Sequence, residues 1–266
     1  MSYNKIKVAR EGKIAIVTLF DPATMNAAGM DMGAELIDAF KNITMGDDAA
    51  RAIVLTGDGR GFCSGANLQA GPGGGKVDSD GKPDAGSGLE TLYNPLVTAI
   101  RDLPIPIVTA VNGAAAGVGC SLALMGDIVV AAESAYFMQA FRRIGLIPDG
   151  GSTYLLPRLI GKARAMEMAL LGERVPAPKA LDWGLINRCV PDAELMSTAL
   201  GLAQELAKGP FSLGLIRKAM WESMDSSWTE QLYNERRGQR VAGKSDDFRE
   251  GVQAFLQKRP AEFQGR

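Results

Sequence analysis

The chain is expected to be an α/β protein: a largely parallel sheet with helices packed on it, followed by a region of helices alone. Three observations carry this. β-Branched runs alternate with helically spaced apolar residues to about residue 190, no strand pattern returns beyond Asp192, and 46% of the 266 residues are hydrophobic, which is enough for a sizeable core.

Residues 5–10 and 13–19 alternate like two strands paired around Glu11-Gly12, and Met30–Ile43 sets Met32, Leu36, Ile37 and Phe40 at helical spacing. Two β-branched runs follow, Ala52-Ile53-Val54-Leu55-Thr56 and Ile107-Val108-Thr109-Ala110-Val111. Each leads into small residues: Gly61-Phe62-Cys63-Ser64-Gly65-Ala66-Asn67-Leu68 after the first, and Asn112-Gly113-Ala114-Ala115-Ala116-Gly117-Val118-Gly119-Cys120-Ser121 after the second. Two such turns can aim bare N–H groups at one ligand oxygen. Val118 opens an apolar stretch that reads as a buried helix, whose first N–H groups lack partners and whose dipole favours negative charge. The same glycines equally serve to let helix pack closely on strand.

Residues 71–88, rich in Gly, Asp, Ser and Pro, read as a surface loop. Pro148-Asp149-Gly150-Gly151 is turn or helix-cap sequence, with Ser152-Thr153 opening the next helix. Residues 193–207, 211–224, 228–241 and 246–256 have helical spacing, so two regions are expected, 1–192 and 193–266.

Charge excludes several classes of function. With 29 basic and 30 acidic residues the net charge is −1, so no global field draws nucleic acid or an anionic membrane. The uncharged interval 103–126 imitates a membrane span, but Pro104, Pro106, Asn112 and its glycines fit strand, turn and helix better. Cys63, Cys120 and Cys189 form no C-x-x-C pair, which disfavours disulfides and structural zinc; with no apolar leader at the N-terminus, a cytoplasmic location is expected. There is no histidine, which removes Ser-His-Asp and Cys-His catalysis and the commonest metal ligand, so no metal site is expected. Acid-base chemistry near neutral pH falls to carboxylates, Lys, Tyr or Cys. The glycines at 113–119 miss the dinucleotide spacing, and Gly75-Lys76 lacks the Ser or Thr of a phosphate loop.

Taken in order, Asp21-Pro22 with Asn26-Ala27, the two glycine turns, Gly145-Leu146-Ile147-Pro148-Asp149-Gly150-Gly151, and Glu250-Gly251 with Ala254-Phe255-Leu256 and Lys258-Arg259 resemble the crotonase superfamily over nearly the whole chain. Members of that superfamily bind acyl-CoA thioesters and stabilise their enolates. The resemblance implies a spiral core of repeated ββα turns, then a helical region packing against neighbouring subunits in a homotrimer or hexamer. It implies an oxyanion hole from the N–H groups of Ala66 and Val118. Coenzyme A enters as part of the substrate, with no separate cofactor, held by Asn26, Ala27, Phe255 and Lys258, the last two from a neighbouring subunit. Phe255 also fits a buried helical stripe with Val252 and Leu256. Gln69 departs from the family pattern, in which a basic residue follows the first turn. The loop 71–88 reads either as a cover for the acyl end of the ligand or as a solvated insertion.

The hydratases of the superfamily use two glutamates to orient water; Ser121 and Phe141 stand at those positions and are expected to line the acyl pocket instead. The acidic residue of the isomerase and dehalogenase members matches Asp149, with Ile144, Leu146 and Ile147 as an apolar setting that raises its pKa. Tyr93-Asn94-Pro95-Leu96-Val97, Leu155-Leu156-Pro157-Arg158 and Ala242-Gly243-Lys244-Ser245 bring the resemblance closest to the 1,2-epoxyphenylacetyl-CoA isomerases of phenylacetate degradation. This implies a CoA-thioester isomerase acting on a ring epoxide, on enoyl double bonds, or on both. The rivals are a hydratase with a rearranged site and a non-catalytic acyl-CoA binding protein.

Overall fold

The computed structural model describes residues 2–68 and 76–266. Strands β1 (Ile6–Glu11) and β2 (Ile14–Leu19) form the expected antiparallel pair, and α1 (Met30–Ile43) turns Met32, Leu36 and Phe40 into the core. The chain then winds as a spiral in which each turn adds one strand to each of two sheets before a helix. The first turn is β3 (Ala52–Gly57), β4 (Gly61–Cys63) and α2 (Asn94–Arg101). The second is β5 (Ile107–Val111), β6 (Ala114–Ala116) and α3 (Val118–Leu124). The third is β7 (Ile128–Ala132), β8 (Tyr136–Met138) and α4 (Ser152–Leu171). Strand β9 (Val175–Pro176), helix α5 (Ala177–Asp182) and strand β10 (Arg188–Val190) close the sheets.

One sheet runs β1-β2-β3-β5-β7-β10 and the other β4-β6-β8-β9, with antiparallel pairs at β1–β2 and β8–β9 and parallel pairs between. All six residues of β3 are buried, as expected of a parallel strand covered on both faces. The crossing from sheet to sheet is tight. A β-carbon on Gly57 would lie 2.4 Å from the Gly61 carbonyl oxygen, so β3 meets β4 through a corner that admits no side chain.

The last helices are α6 (Leu195–Lys208), α7 (Ser212–Ser223), α8 (Trp228–Ala242) and α9 (Asp246–Gln257). Helix α6 lies on the first sheet and buries Leu195, Ala199 and Ala203, so it completes the core although it falls beyond residue 192. Helix α8 buries none of its residues; Trp228 is 78% exposed, and on α9 Phe255 is 82% exposed. Val252 and Leu256 are exposed as well, so among the described residues the apolar stripe of α9 is largely uncovered.

A buried arginine joins α7 to the core. Arg217 donates from Nε to Asp127 Oδ2 at 2.7 Å, from Nη2 to the Ile100 carbonyl at 2.7 Å, and from Nη1 to the carbonyls of Leu103, at 3.0 Å, and Arg101. It thus satisfies the free carbonyls at the end of α2 and pairs a carboxyl that burial pushes upward in pKa. Replacing Arg217 with Met keeps the aliphatic stem and leaves Asp127 unpaired. Chemical denaturation should then show a loss of about 3–5 kcal/mol, the usual cost of removing one partner from a buried pair; a loss below about 1 kcal/mol contradicts this reading.

Candidate active site

Three turns of the spiral stack at one place. The first, after β4, is held by the segment entering α1: Ser64 N donates to the Met25 carbonyl at 3.1 Å, Ser64 Oγ to the Thr24 carbonyl at 2.7 Å, and Ala28 N to the Gly65 carbonyl at 2.7 Å. Ala28 and Ala66 pair as a parallel bridge in which the Ala66 N–H is not used. The second turn, after β6, is fixed by Gly117 N donating to the Met138 carbonyl at 2.9 Å, which leaves the next amide, Val118 N–H, at the head of α3. Among the described residues neither the Ala66 nor the Val118 amide has an acceptor.

The two turns touch through backbone. Gly65 (φ +114°) and Gly117 (φ +53°) both take conformations that side chains disfavour; a β-carbon on Gly65 would sit 3.1 Å from the Ala116 oxygen. One on Gly119 would sit 2.3 Å from the Cys63 oxygen, and one on Gly113 would sit 2.2 Å from the Arg60 oxygen. Phe141 is buried, and its ring lies against Gly117.

The third turn carries Asp149. Gly150 (φ +58°) packs so closely on α3 that a β-carbon would lie 2.9 Å from Ser121 Cβ and 3.2 Å from Val118 Cγ2. Asp149 Oδ1 is buried without a hydrogen-bond partner among the described residues, and burial lifts the carboxyl to a pKa of about 6. The cap of α4 is Gly151, and the Asp149 carboxylate caps nothing; its main-chain oxygen accepts from Ser152 N at 3.1 Å. Ile144, Leu146 and Ile147 are exposed, whereas Gly150, next to Asp149, packs on Ser121 and Val118.

Tyr93, at the end of the π-helical segment Leu89–Tyr93, also serves this place without a signal in its sequence spacing. Its hydroxyl donates to the Ala28 carbonyl at 2.6 Å, and burial, then the charge of Asp149, pushes it up to about 12. Cys63 is pushed up to about 11 by burial.

Other expected site residues fall elsewhere. Asn26 is fully buried, with its side chain spent on the fold: Nδ2 donates to the carbonyls of Asp58 at 2.9 Å and Gly61 at 2.8 Å, and Oδ1 accepts from Asp21 N at 2.8 Å. Ala27 is buried beside it. Ser121, expected at an acyl pocket, is fully buried behind the Asp149 turn. Phe255 and Lys258 lie on and after the exposed end of α9, where Lys258 takes a left-handed φ of 56°. The neighbouring Arg259 pairs with Glu250, whose carboxyl it holds down at about 2. Gln69 and the first part of the loop 71–88 lie outside the described residues; beyond them Val77 bridges Pro83.

The family model for enoyl-CoA hydratase/isomerase matches residues 9–266. The chain belongs to the enoyl-CoA hydratase/isomerase family. It is 47% identical to the 1,2-epoxyphenylacetyl-CoA isomerase of Escherichia coli K12, over 96% of this chain and 97% of that one. It is 46% identical to a Rhodobacter capsulatus protein named as a probable enoyl-CoA hydratase, over the full length of both. Its fold superimposes on an enoyl-CoA hydratase structure from Geobacillus kaustophilus with a TM-score of 0.89, at 34% identity over 99% of each chain. The family's crotonase fold is thus the spiral described above, and among the described residues no helix is long and apolar enough to cross a membrane.

The bare carboxyl also weighs on stability. Asp149 binds its proton more tightly folded than unfolded, so its contribution is full below the unfolded value of 3.8 and is lost as pH rises through about 6. Asp149→Asn should therefore be more stable than the parent above pH 6, by about 1 kcal/mol after allowance for solvent screening, with the gap closing by about pH 4. Equal or lower stability of the variant in denaturation at pH 8 contradicts the burial argument.

Proposed function

We propose that this family member is a CoA-thioester isomerase in which Asp149 carries the proton and the amides of Ala66 and Val118 hold the thioester oxygen. The observation behind the proposal is the unpartnered, half-buried carboxyl of Asp149, on a turn packed against the head of α3, together with the free amides of Ala66 and Val118 on two touching turns. A carboxylate with a pKa near 6 is matched to proton transfer close to neutral pH. With a 3-enoyl-CoA it removes a proton from the carbon next to the thioester, negative charge moves to the carbonyl oxygen between the two N–H donors, and the proton returns at the γ-carbon to give the conjugated 2-enoyl thioester. No co-reactant is consumed. Donors already oriented toward a developing oxyanion typically lower the barrier of such reactions more than any other single effect.

Hydration needs a second acid-base group to deliver water, and Ser121 and Phe141 offer none. The 47% identity to an epoxyphenylacetyl-CoA isomerase supports a ring epoxide such as 2-(1,2-epoxy-1,2-dihydrophenyl)acetyl-CoA as substrate. Coenzyme A is part of the substrate, Asn26 and Ala27 act through the main chain they hold, and the three free thiols suit the reducing cytoplasm. The exposed apolar faces of α8 and α9 support a homotrimer or hexamer, with Phe255 and Lys258 reaching the adenine and phosphates of a ligand on the next subunit.

Asp149→Asn should lower isomerisation of a 3-enoyl-CoA by about 10² to 10⁴ with little change in CoA-ester affinity. In the parent, kcat/KM should fall as pH drops below about 6 because the carboxylate is the working form. Near-normal turnover by a folded Asp149→Asn protein, or rapid release of 3-hydroxyacyl-CoA from a 2-enoyl-CoA, refutes this function. Sedimentation at micromolar concentration tests the assembly, and a monomer removes both it and the role of Lys258.

A further inference from the structure

We propose that Ser121 is a positioning residue for Asp149, the last link of a buried relay from Gln139 through Ser152 that fixes the Asp149 main chain and leaves its carboxylate free of donors. The proposal rests on Asp149 as the proton carrier. Gln139, Ser152 and Ser121 are each fully buried. Gln139 Nε2 lies 3.2 Å from Ser152 Oγ, Ser152 Oγ lies 2.6 Å from Ser121 Oγ, and Ser121 Oγ lies 2.9 Å from the Asp149 carbonyl oxygen.

Chemistry sets the direction of the relay. The Asp149 carbonyl can only accept, so Ser121 spends its one proton there, Ser152 must donate across the 2.6 Å contact to Ser121, and Ser152 in turn accepts from Gln139 Nε2. That oxygen accepts a second bond from Ser152 N at 3.1 Å. The turn is pinned from two sides, and Gly150 against Ser121 Cβ leaves it no room to sink further.

A direct bond to the carboxylate would fix Asp149 equally well, but it would stabilise the charged form and pull the pKa down, weakening the base. Holding the residue by its carbonyl avoids that conflict. The titratable groups nearby do not replace the relay. On α3, Cys120 is held protonated by burial, at about 12; from the π-helical segment, Tyr93 feels the Asp149 charge; and Cys63 of β4 and Asp31 of α1 act on Tyr93 in turn.

The test is the pH profile of 3-enoyl-CoA isomerisation for the parent, Ser121→Ala, Ser152→Ala, the double variant and Asp149→Asn, with CoA-ester affinity measured alongside. In Ser121→Ala kcat should fall about tenfold, and by no more than the order of 10² that a 1 Å misplacement costs, while affinity holds within about twofold. Water reaching the carboxylate favours its charged form, so the acid limb should move from about 6 toward the ordinary carboxylate range. Ser152→Ala should shift it the same way, and the double variant no further than Ser121→Ala, because the bonds act in series. If Ser121→Ala fails to fold, the Ser152→Ala profile decides. An unmoved acid limb overturns the proposal whatever the turnover, since a merely structural serine would leave it there. Full activity in Asp149→Asn overturns the proton carrier itself, whereas loss of activity there with an unmoved limb in Ser121→Ala overturns the relay alone.

Discussion

The fold rests on backbone packed directly against backbone where successive turns of the spiral meet. Gly113 lies against Arg60, Gly119 against Cys63 and Gly65 against Ala116, and at the first two a β-carbon would fall within 2.3 Å of a carbonyl oxygen. No side chain fits at such contacts, so the chain must present small residues there, and the turns stack in register. The stacking sets the turn before Ala66 against that before Val118, and the head of α3 against the third turn, which carries Asp149. The site is therefore a consequence of how the spiral closes. Its parts arrive from three separate turns and owe their alignment to the same contacts that hold the two sheets together.

Much of this is legible in the sequence because it is local. Helix α1 runs from Met30 to Ile43 as the spacing of Met32, Leu36 and Phe40 predicts, and Val118 does open a buried helix after Gly117. The four last helices begin and end within about two residues of their expected bounds, the usual uncertainty of helix ends. What periodicity cannot say is which surface an apolar face meets. Helix α6 has an amphipathic pattern like that of α9, yet one lies on the sheet and the other faces outward.

Side-chain partners are the least legible part. Asn26 reads as a ligand contact and proves to be the tie between the segment before α1 and the corner at Gly61. Ser121 reads as a pocket residue and bonds the Asp149 turn. Ile144, Leu146 and Ile147 suggest a dry surrounding by proximity in sequence, but their side chains are exposed. For Ser121 and Asn26 a deciding partner, Asp149 and Gly61 respectively, lies 28 or more residues away, and no single-sequence pattern reports such a pairing. Tyr93 is the same case in reverse: an ordinary helix-start tyrosine whose hydroxyl closes onto Ala28 beside the first turn.

One physical claim underlies the chemistry: the fold fixes Asp149 by its main chain and leaves its carboxyl half-buried with no donor. The most direct measurement is a site-resolved ¹³C NMR titration of that carboxyl, assigned by the loss of its signal in Asp149→Asn. A single transition near 6 is expected. A transition at or below about 4, the value of an ordinary solvated aspartate, would contradict the claim.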